Sequence, residues 1–383
     1  MDLYECRKEI DEINDEILSL FLKRMEITTS VAEYKRANNM PIMQQSREDE
    51  ILENMGQKAG EEFSDYAKIL FSIIMNLSRL HQVSTNGADP SMIRDAITLA
   101  KSITPSDFPK SATVACQGVK GAYSQLACDK IFPDAKISYF NSFSDVFSAI
   151  DNGTCEYGIL PIENCLYGSV NQVYDLMKYH KFYITKSVKL KINHTLLAKP
   201  GTKLEDITDV FSHEQAIGQC SEFLSAHPDI TVHICENTAM AAKKVATSDN
   251  PHYASISSPE CAEFYGLEYL CNSIANSDNN YTRFICISKN LEIYPESNKM
   301  SLVLNTAHKP GALFGLISRF AALGLNITKL ESRPLIGKDF EYMFYFDVEA
   351  SVFDSKVLSL ISELCSDNSG SSFLGSYSEI QER

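Results

Sequence analysis

The chain has no C-x-x-C pair among its 11 cysteines, no basic segment leading an apolar run at its start, and no long unbroken apolar stretch. The first absence argues against a zinc site or a disulfide framework, and the cysteines read as dispersed reduced thiols. From the second, no signal peptide is expected. The third falls short of the roughly 18 apolar residues that a membrane span needs, so a cytoplasmic protein without a membrane partner is expected. Positive charge is also scarce: 35 Lys and Arg face 50 Asp and Glu, a formal net charge of -15. A field of that sign disfavours nucleic acid and anionic membranes as partners. Any anionic ligand must therefore be held by local cations. No metal or cofactor is expected. At 383 residues, 44% hydrophobic and 22% charged, the chain should form two or three ordinary globular domains.

Residues 1–82 nearly lack glycine and proline and carry helical periodicity, which predicts helices at about 4–37, 45–58 and 62–83. The first would be about 50 Å long, too long to bury its apolar stripe in a small monomer, so a homodimer or higher homo-oligomer is expected. Residues 84–110 read as a Pro/Gly/Ser linker around one short helix. Over 111–288 short apolar strands alternate with helices, an α/β pattern. A second linker, 289–298, leads to 299–379, ordered strand, helix, strand, strand, helix, strand: a ferredoxin-like βαββαβ unit.

In the first helix Ile10, Ile13, Ile17, Leu20, Phe21, Thr28 and Val31 share one face, and Arg24 and Lys35 lie inside that stripe. An unpaired buried cation costs several kcal/mol. Three turns, about 16 Å, separate the two, so their side chains could close on a small dianion. Arg47 and Glu48 open the second helix at the expected pocket mouth. Ser78 and Gln82 put hydrogen-bonding groups on the buried face of the third. Arg7, about 26 Å from Arg24, reaches the same ligand only from a neighbouring protomer. The alternative is that these cations snorkel or pair with helix carboxylates.

This stretch resembles the all-helical chorismate mutase family, an intertwined dimer. The resemblance implies that Arg7, Arg24, Lys35, Glu48, Ser78 and Gln82 bind chorismate, Arg7 from across the dimer. Many members have Asp where this chain has Gln44, whose amide can still bond the substrate hydroxyl. The rearrangement transfers no proton, so the site must orient two carboxylates and stabilise charge growing on the ether oxygen. Lys35 and Gln82 are the donors assigned there.

Three stretches between 112 and 288 put polar groups at strand ends: CQGVKGAYSQLA, PIENCLYGSV and NNYTRFICIS. Gly118 and Gly121 precede a helix, an arrangement that offers backbone N–H groups to an anion. Glycines also serve turns, and serines and asparagines cap helices. Ser212 in FSHEQAIGQC reads as a cap or a ligand contact, and the segment from Ser257 to Glu260 as a helix start.

Together the three stretches resemble prephenate dehydratase, which implies two α/β lobes around a cleft. The resemblance implies that Gly121, Tyr123, Ser124, Asn164, Cys165, Gly168, Ser169, Thr282, Arg283 and Phe284 bind prephenate. Where the family usually has Ser, this chain has Cys165, a weaker donor. Thr282 is the implied catalytic residue, donating to the hydroxyl that leaves as the ring aromatises. On a regular strand Arg283 faces away from Thr282 and Phe284, so it is expected to act structurally.

HKPGALFGLISRF resembles the phenylalanine-responsive ACT domain. The resemblance implies an allosteric L-phenylalanine site at Gly311, Ala312, Leu313, Glu331, Ser332 and Arg333, between paired units. Because the mutase stands beyond the longer linker, the effector is expected to act mainly on the dehydratase. The whole reads as a bifunctional enzyme feeding phenylalanine synthesis. Two alternatives remain: a dehydratase whose helical part has become a dimerisation module, and a non-catalytic sensor whose lobes close on an amino acid.

Overall fold

The computed structural model describes residues 2–38, 40, 44–86, 91–306, 308–334, 342–366 and 370–381. They form two compact units, residues 1–99 with 299–373, and 100–298 with 374–383.

Helix α1 (Leu3–Ala37) opens on a capping box: the Glu5 N–H donates to the Asp2 carboxylate at 2.8 Å, and the Asp2 N–H to Glu5 at 2.9 Å. Lys35 and Arg36 fall in its last turn, where the helix dipole favours cations. Helix α2 (Gln45–Asn86) contains both further helices expected from the periodicity. Gly60, at φ 74° and ψ 169°, breaks the ladder between them, so the junction is a kink rather than a loop. Helix α3 (Met92–Ile103) is the short helix of the stretch read as a linker.

The α/β unit has two lobes. The first contains β1 (Thr113–Gln117), α4 (Tyr123–Ile131), β2 (Lys136–Phe140), α5 (Phe143–Asp151), β3 (Tyr157–Asn164), β4 (Gly168–Ser169), α6 (Asn171–His180) and β5 (Tyr183–Lys191). The chain crosses at Ile192–His194 into β6 (Thr195–Ala198), β7 (Asp209–Ser212), α7 (Glu214–Gln219), α8 (Ser221–Ser225), β8 (Thr231–Ile234), α9 (Thr238–Thr247), β9 (Tyr253–Ser257), α10 (Glu260–Tyr265) and β10 (Glu268–Cys271). It returns to the first lobe as β11 (Tyr281–Ser288). The strand orders are β5-β11-β3-β1-β2 and β10-β6-β9-β7-β8. Val114, Cys116, Ile159, Val188, Leu190 and Phe284 pack beneath α4 in the first lobe. All eleven cysteines are free thiols, and Cys116, Cys128 and Cys286 belong to that core as small apolar residues.

The remaining elements are β12 (Lys299–Asn305), α11 (Ala312–Ala322), β13 (Asn326–Pro334), β14 (Tyr342–Glu349), α12 (Ser355–Leu364) and β15 (Ser372–Gln381). Their order along the chain is the expected one. In the first unit β14 pairs antiparallel with β12 on one side and β13 on the other. All but two residues of β15 belong to the second unit, where the strand runs parallel to β5, Ser378 opposite Lys186.

Within the first unit α2 packs against α11 and α12. Asn76 Nδ2 donates to Ser318 Oγ at 3.5 Å, and Arg94 Nη2 to Ser359 Oγ at 2.9 Å. The linker length suggested an isolated helical region; side-chain contact overrides that expectation. The expected stripe of α1 is buried only in part: Thr28 is 7% exposed, but Ile10, Ile13, Ile17 and Leu20 are 53–67% exposed. Among the described residues, no helix is long and apolar enough to cross a membrane.

Candidate functional sites

A cleft of about 440 Å³ lies between α1 and α2. Arg24, Lys35, Gln44, Arg47, Glu48, Ser78 and Gln82 all line it. Arg7 does not; it is exposed in the second turn of α1. Thr28 of the expected stripe lines it too, as do Lys23 and Arg79, which the sequence did not mark, so five cations face one carboxylate. That concentration of positive charge, in a chain of net charge -15, is what a small anion requires.

The Arg24 guanidinium donates to Ser78 Oγ and, at 3.5 Å, to the Ile74 carbonyl. Ser78 in turn donates to Ile74 O at 2.7 Å, so its hydroxyl is fixed as an acceptor toward Arg24. Burial pushes the Arg24 pKa below its ordinary value. It does the same to Lys35, against the opposing attraction of Glu48. Gln82 is 7% exposed, and its Oε1 is buried without a hydrogen-bond partner. Arg47 pairs with Glu50 at 2.7 Å with both side chains mostly in solvent, a position at the rim.

The second cleft, about 240 Å³, is lined by Leu166, Tyr167, Gly218, Gln219, Ala275, Asn276, Ser277 and Asn280. Beside it lies a hydrogen-bond chain whose direction can be worked out. Asn164 Oδ1 accepts from the N–H groups of Leu166 and Tyr167 at 2.9 and 3.0 Å. Its Nδ2 must then be the donor to Thr282 Oγ1 at 2.8 Å and to Asn280 Oδ1 at 2.9 Å. Asn280 Nδ2 donates to Gln219 Oε1 at 2.9 Å, and the same oxygen lies 2.6 Å from His194 Nε2. His194 therefore carries its proton on Nε2, and burial, which lowers its pKa, keeps the ring neutral. Because Thr282 Oγ1 accepts from Asn164, its own hydrogen is directed elsewhere.

Thr282 faces Asn164 across the β11–β3 ladder, and a register shift follows Arg283. Arg283 pairs with its neighbour Glu163 at 3.4 Å. Phe284 is buried with Thr282. The Cys165 sulfur is 3.1 Å from the Asn279 carbonyl and 3.1 Å from the Tyr281 N–H. The thiol thus ties the turn to the segment before β11. Gly168 and Ser169 form β4, paired with β3.

The glycine-rich loop departs from the expected anion cradle. The Gly118 N–H donates to Phe140 O and that of Gly121 to Gln125 Oε1, each at 2.8 Å. Gly121 has φ +84°, and a Cβ there would lie 2.9 Å from Cys261 Sγ, so glycine serves a close approach between elements. Tyr123 OH donates to the Asn193 carbonyl, and Ser124 is buried in the first turn of α4. Ser212 is neither a cap nor a cleft residue: its hydroxyl donates to Ile256 O at 2.7 Å, and His213 caps α7. Helix α10 does begin at Glu260, without a side-chain cap.

Gly311 caps α11 with φ 79°, followed by the half-buried Ala312 and Leu313. Glu331, Ser332 and Arg333 lie on β13, opposite Tyr345, Phe344 and Met343 of β14. Glu331 also pairs with Lys329 at 3.3 Å.

None of the residues expected to bind prephenate lines the second cleft itself; Thr282 and Asn164 lie beside it, joined to its Gln219 and Asn280 by hydrogen bonds. The chain thus carries a cation-rich helical pocket and a separate α/β cleft, the layout of a two-site enzyme. A chorismate mutase type II family model matches residues 6–83, and a prephenate dehydratase model matches residues 114–292. The bifunctional chorismate mutase/prephenate dehydratase of Escherichia coli K12 is 30% identical over 383 residues, covering 98% of this chain and 96% of the relative. Arogenate dehydratase/prephenate dehydratase 2 of Arabidopsis thaliana is 34% identical over 310 residues, 74% of this chain and 81% of the relative. The crystal structure of prephenate dehydratase from Arthrobacter aurescens in complex with L-Phe superposes with a TM-score of 0.63 at 28% identity, over 70% of this chain and 89% of that one. The chain belongs to the bifunctional chorismate mutase/prephenate dehydratase family.

Two predictions follow from the geometry. An ammonium attracts an anion only while charged, and burial lowers the Lys35 pKa, so with Lys35 as a substrate ligand mutase kcat/KM should fall as pH rises, with a midpoint below the ordinary lysine value of about 10.4. The limb should move to higher pH in kcat, since a bound dianion restores the proton. A pH profile flat up to the ordinary lysine value would contradict this. Beside the second cleft, Asn164→Ala should lower dehydratase kcat by about 10²-fold, a typical loss for one positioned donor. Combined with Thr282→Ala it should add little, because the two act as a unit; multiplicative losses would show independent roles.

Proposed function

We propose that the chain converts chorismate to prephenate in the helical pocket, and prephenate to phenylpyruvate in the α/β cleft. The observation that carries the first step is the joint placement of Arg24, Lys35, Glu48, Ser78 and Gln82 on one cleft. Arg24, held by Ser78, grips a carboxylate; Gln44 and Glu48 accept from or bond the ring hydroxyl. Lys35 and Gln82 stabilise the charge that grows on the ether oxygen as it breaks from carbon. For Gln82 this requires that the amide present its Nδ-equivalent, Nε2, to the ligand, which leaves Oε1 facing the protein, where it lies buried. Nothing in the step needs a nucleophile or a proton carrier.

For the second step, Thr282 directs its hydroxyl hydrogen to the departing ring oxygen while Asn164 holds its lone pair. CO₂ leaves with its bonding electrons flowing into the ring, the C–O bond breaks, and the oxygen departs as water after taking a proton from solvent. Aromatisation drives the exchange, so a positioned donor suffices. Asn280, Gln219 and His194 fix the orientation of Asn164.

The exposed Ile10, Ile13, Ile17 and Leu20 favour a second copy of α1 as their cover, since burying each such side chain contributes roughly 1.5–3 kcal/mol. In that homodimer the partner supplies its Arg7 to the helical cleft. The C-terminal elements are read as a ferredoxin-like ACT domain over 299–379, following mutase 1–83, linker 84–110, dehydratase 111–288 and linker 289–298. L-phenylalanine is its proposed effector, at Gly311–Leu313 and Glu331–Arg333, in keeping with the relative solved with L-Phe. A cytoplasmic location fits this biosynthetic role.

Lys35→Ala should abolish mutase activity and spare the dehydratase, and Thr282→Ala should do the reverse. Loss of both activities in either variant would contradict separate sites. Ile17→Lys should convert a dimer to a monomer in sedimentation and remove mutase activity. Mixed Arg7→Ala and Lys35→Ala chains should regain part of it; no recovery on mixing would refute a site shared between protomers.

A further inference from the structure

Glu48 poses a problem that the other pocket residues do not. A carboxylate on the wall of a site for a dianion repels its ligand unless it is neutralised from the protein side. Arg79, on α2, does this: its Nη1 lies 3.2 Å from Glu48 Oε1, with the side chains only 9% and 19% exposed. Its Nη2 is used as well, donating to Asn76 Oδ1 in the turn before. Nη1 meets Glu48 as an ion pair without a hydrogen bond, and the buried Nε has no hydrogen-bond partner, so it is the charge of Arg79 rather than its full fork that Glu48 engages at the cleft wall.

The anchorage continues away from the pocket. Asn76 Nδ2 reaches Ser318 Oγ on α11 at 3.5 Å. The next residue, Arg319, pairs with Glu363 of α12 at 3.0 Å, at 15% and 23% exposure. The second Glu363 oxygen, Oε2, is buried and has no hydrogen-bond partner. Arg319 and Glu363 both act on Arg79 through space, the first disfavouring its charge and the second favouring it along with Glu48. Two arginines and two glutamates thus form one charge-balanced cluster, with the pocket at one end and the C-terminal helices at the other.

We propose that Arg79 is a positioning residue of the mutase pocket, holding Glu48 from behind the wall, and that Glu363, itself set by its pairing with Arg319, supports Arg79 in turn. Turnover of chorismate then depends on α11 and α12, whose residues never touch the substrate. The inference rests on the mutase reading and adds a route by which the C-terminal region acts on it.

The test uses the purified full-length chain and measures kcat and KM for chorismate, with prephenate turnover as a control for folded enzyme. Arg79→Gln should lower mutase kcat at least tenfold, about 1.4 kcal/mol in the barrier, while KM changes by less than about threefold. Arg79→Lys, which restores the charge without the fork, should recover part of the loss. Glu363→Gln, remote from the cleft, should lower mutase kcat about threefold. In the double variant it should add nothing to Arg79→Gln, as expected for residues acting through one another. Prephenate turnover should stay at the wild-type level throughout. Wild-type mutase kinetics in Glu363→Gln, or losses that multiply in the double variant, would overturn the proposal. Should Arg79→Gln also lose prephenate turnover, it has failed to fold, and Glu363→Gln alone decides. Absence of mutase activity in the wild-type chain would refute the underlying functional reading instead.

Discussion

Two cations, Arg24 and Lys35, stand on the face of α1 that packs toward α2, and the first unit is arranged around keeping them charged there. Burial lowers the pKa of both, so the helical pair bears a cost that hydrophobic packing alone does not justify. Ser78 and the Ile74 carbonyl give Arg24 part of its solvation back. Glu48 does the same for Lys35 through space, and is itself balanced by Arg79. Five cations line the cleft against one carboxylate, and a small dianion is the proposed counter-charge. The binding site and the electrostatic frustration of the helix are one feature.

The α/β unit solves a different problem with neutral groups. A threonine hydroxyl both accepts and donates, and its usefulness depends on which way its hydrogen points. Two backbone N–H groups settle the orientation of Asn164, and that orientation makes Thr282 Oγ1 a hydrogen-bond acceptor. The chain of amides running on through Asn280 and Gln219 to His194 is nearly dry: Asn280 is 1% and His194 2% exposed. In such surroundings each bond reinforces the next and few alternative arrangements are available.

The sequence displayed those features that depend on local periodicity. Arg24, Lys35, Ser78 and Gln82 stood out because charge and polar groups interrupted an apolar stripe, whereas Thr282 was marked only by the resemblance to prephenate dehydratase. Residues whose role depends on long-range neighbours did not stand out. Arg79 follows Ser78 directly and reads as an exposed helix cation until α11 and α12 close over it. Gln219 and Asn280 are ordinary loop and helix-end residues before the lobes meet. Strand β2, KISYF, is an edge strand with a mostly exposed pattern, so it carries little of the apolar signal of its neighbours. The Gly118–Gly121 loop offered an anion cradle by its spacing, yet Phe140 and Gln125 take both N–H groups. Linker length suggested isolation of the helical region, whereas the polar contacts of α2 with α11 were invisible without the fold.

Two chemistries residing in one chain are the central feature of this protein. Supplying purified protein with chorismate alone, and following chorismate, prephenate and phenylpyruvate in one progress curve, tests that most directly. The expected result is loss of chorismate, a transient rise of prephenate, and phenylpyruvate accumulating after a lag or without one if transfer is fast. A chain that leaves chorismate untouched, yet turns added prephenate into phenylpyruvate, would contradict the account and make the helical region an assembly module.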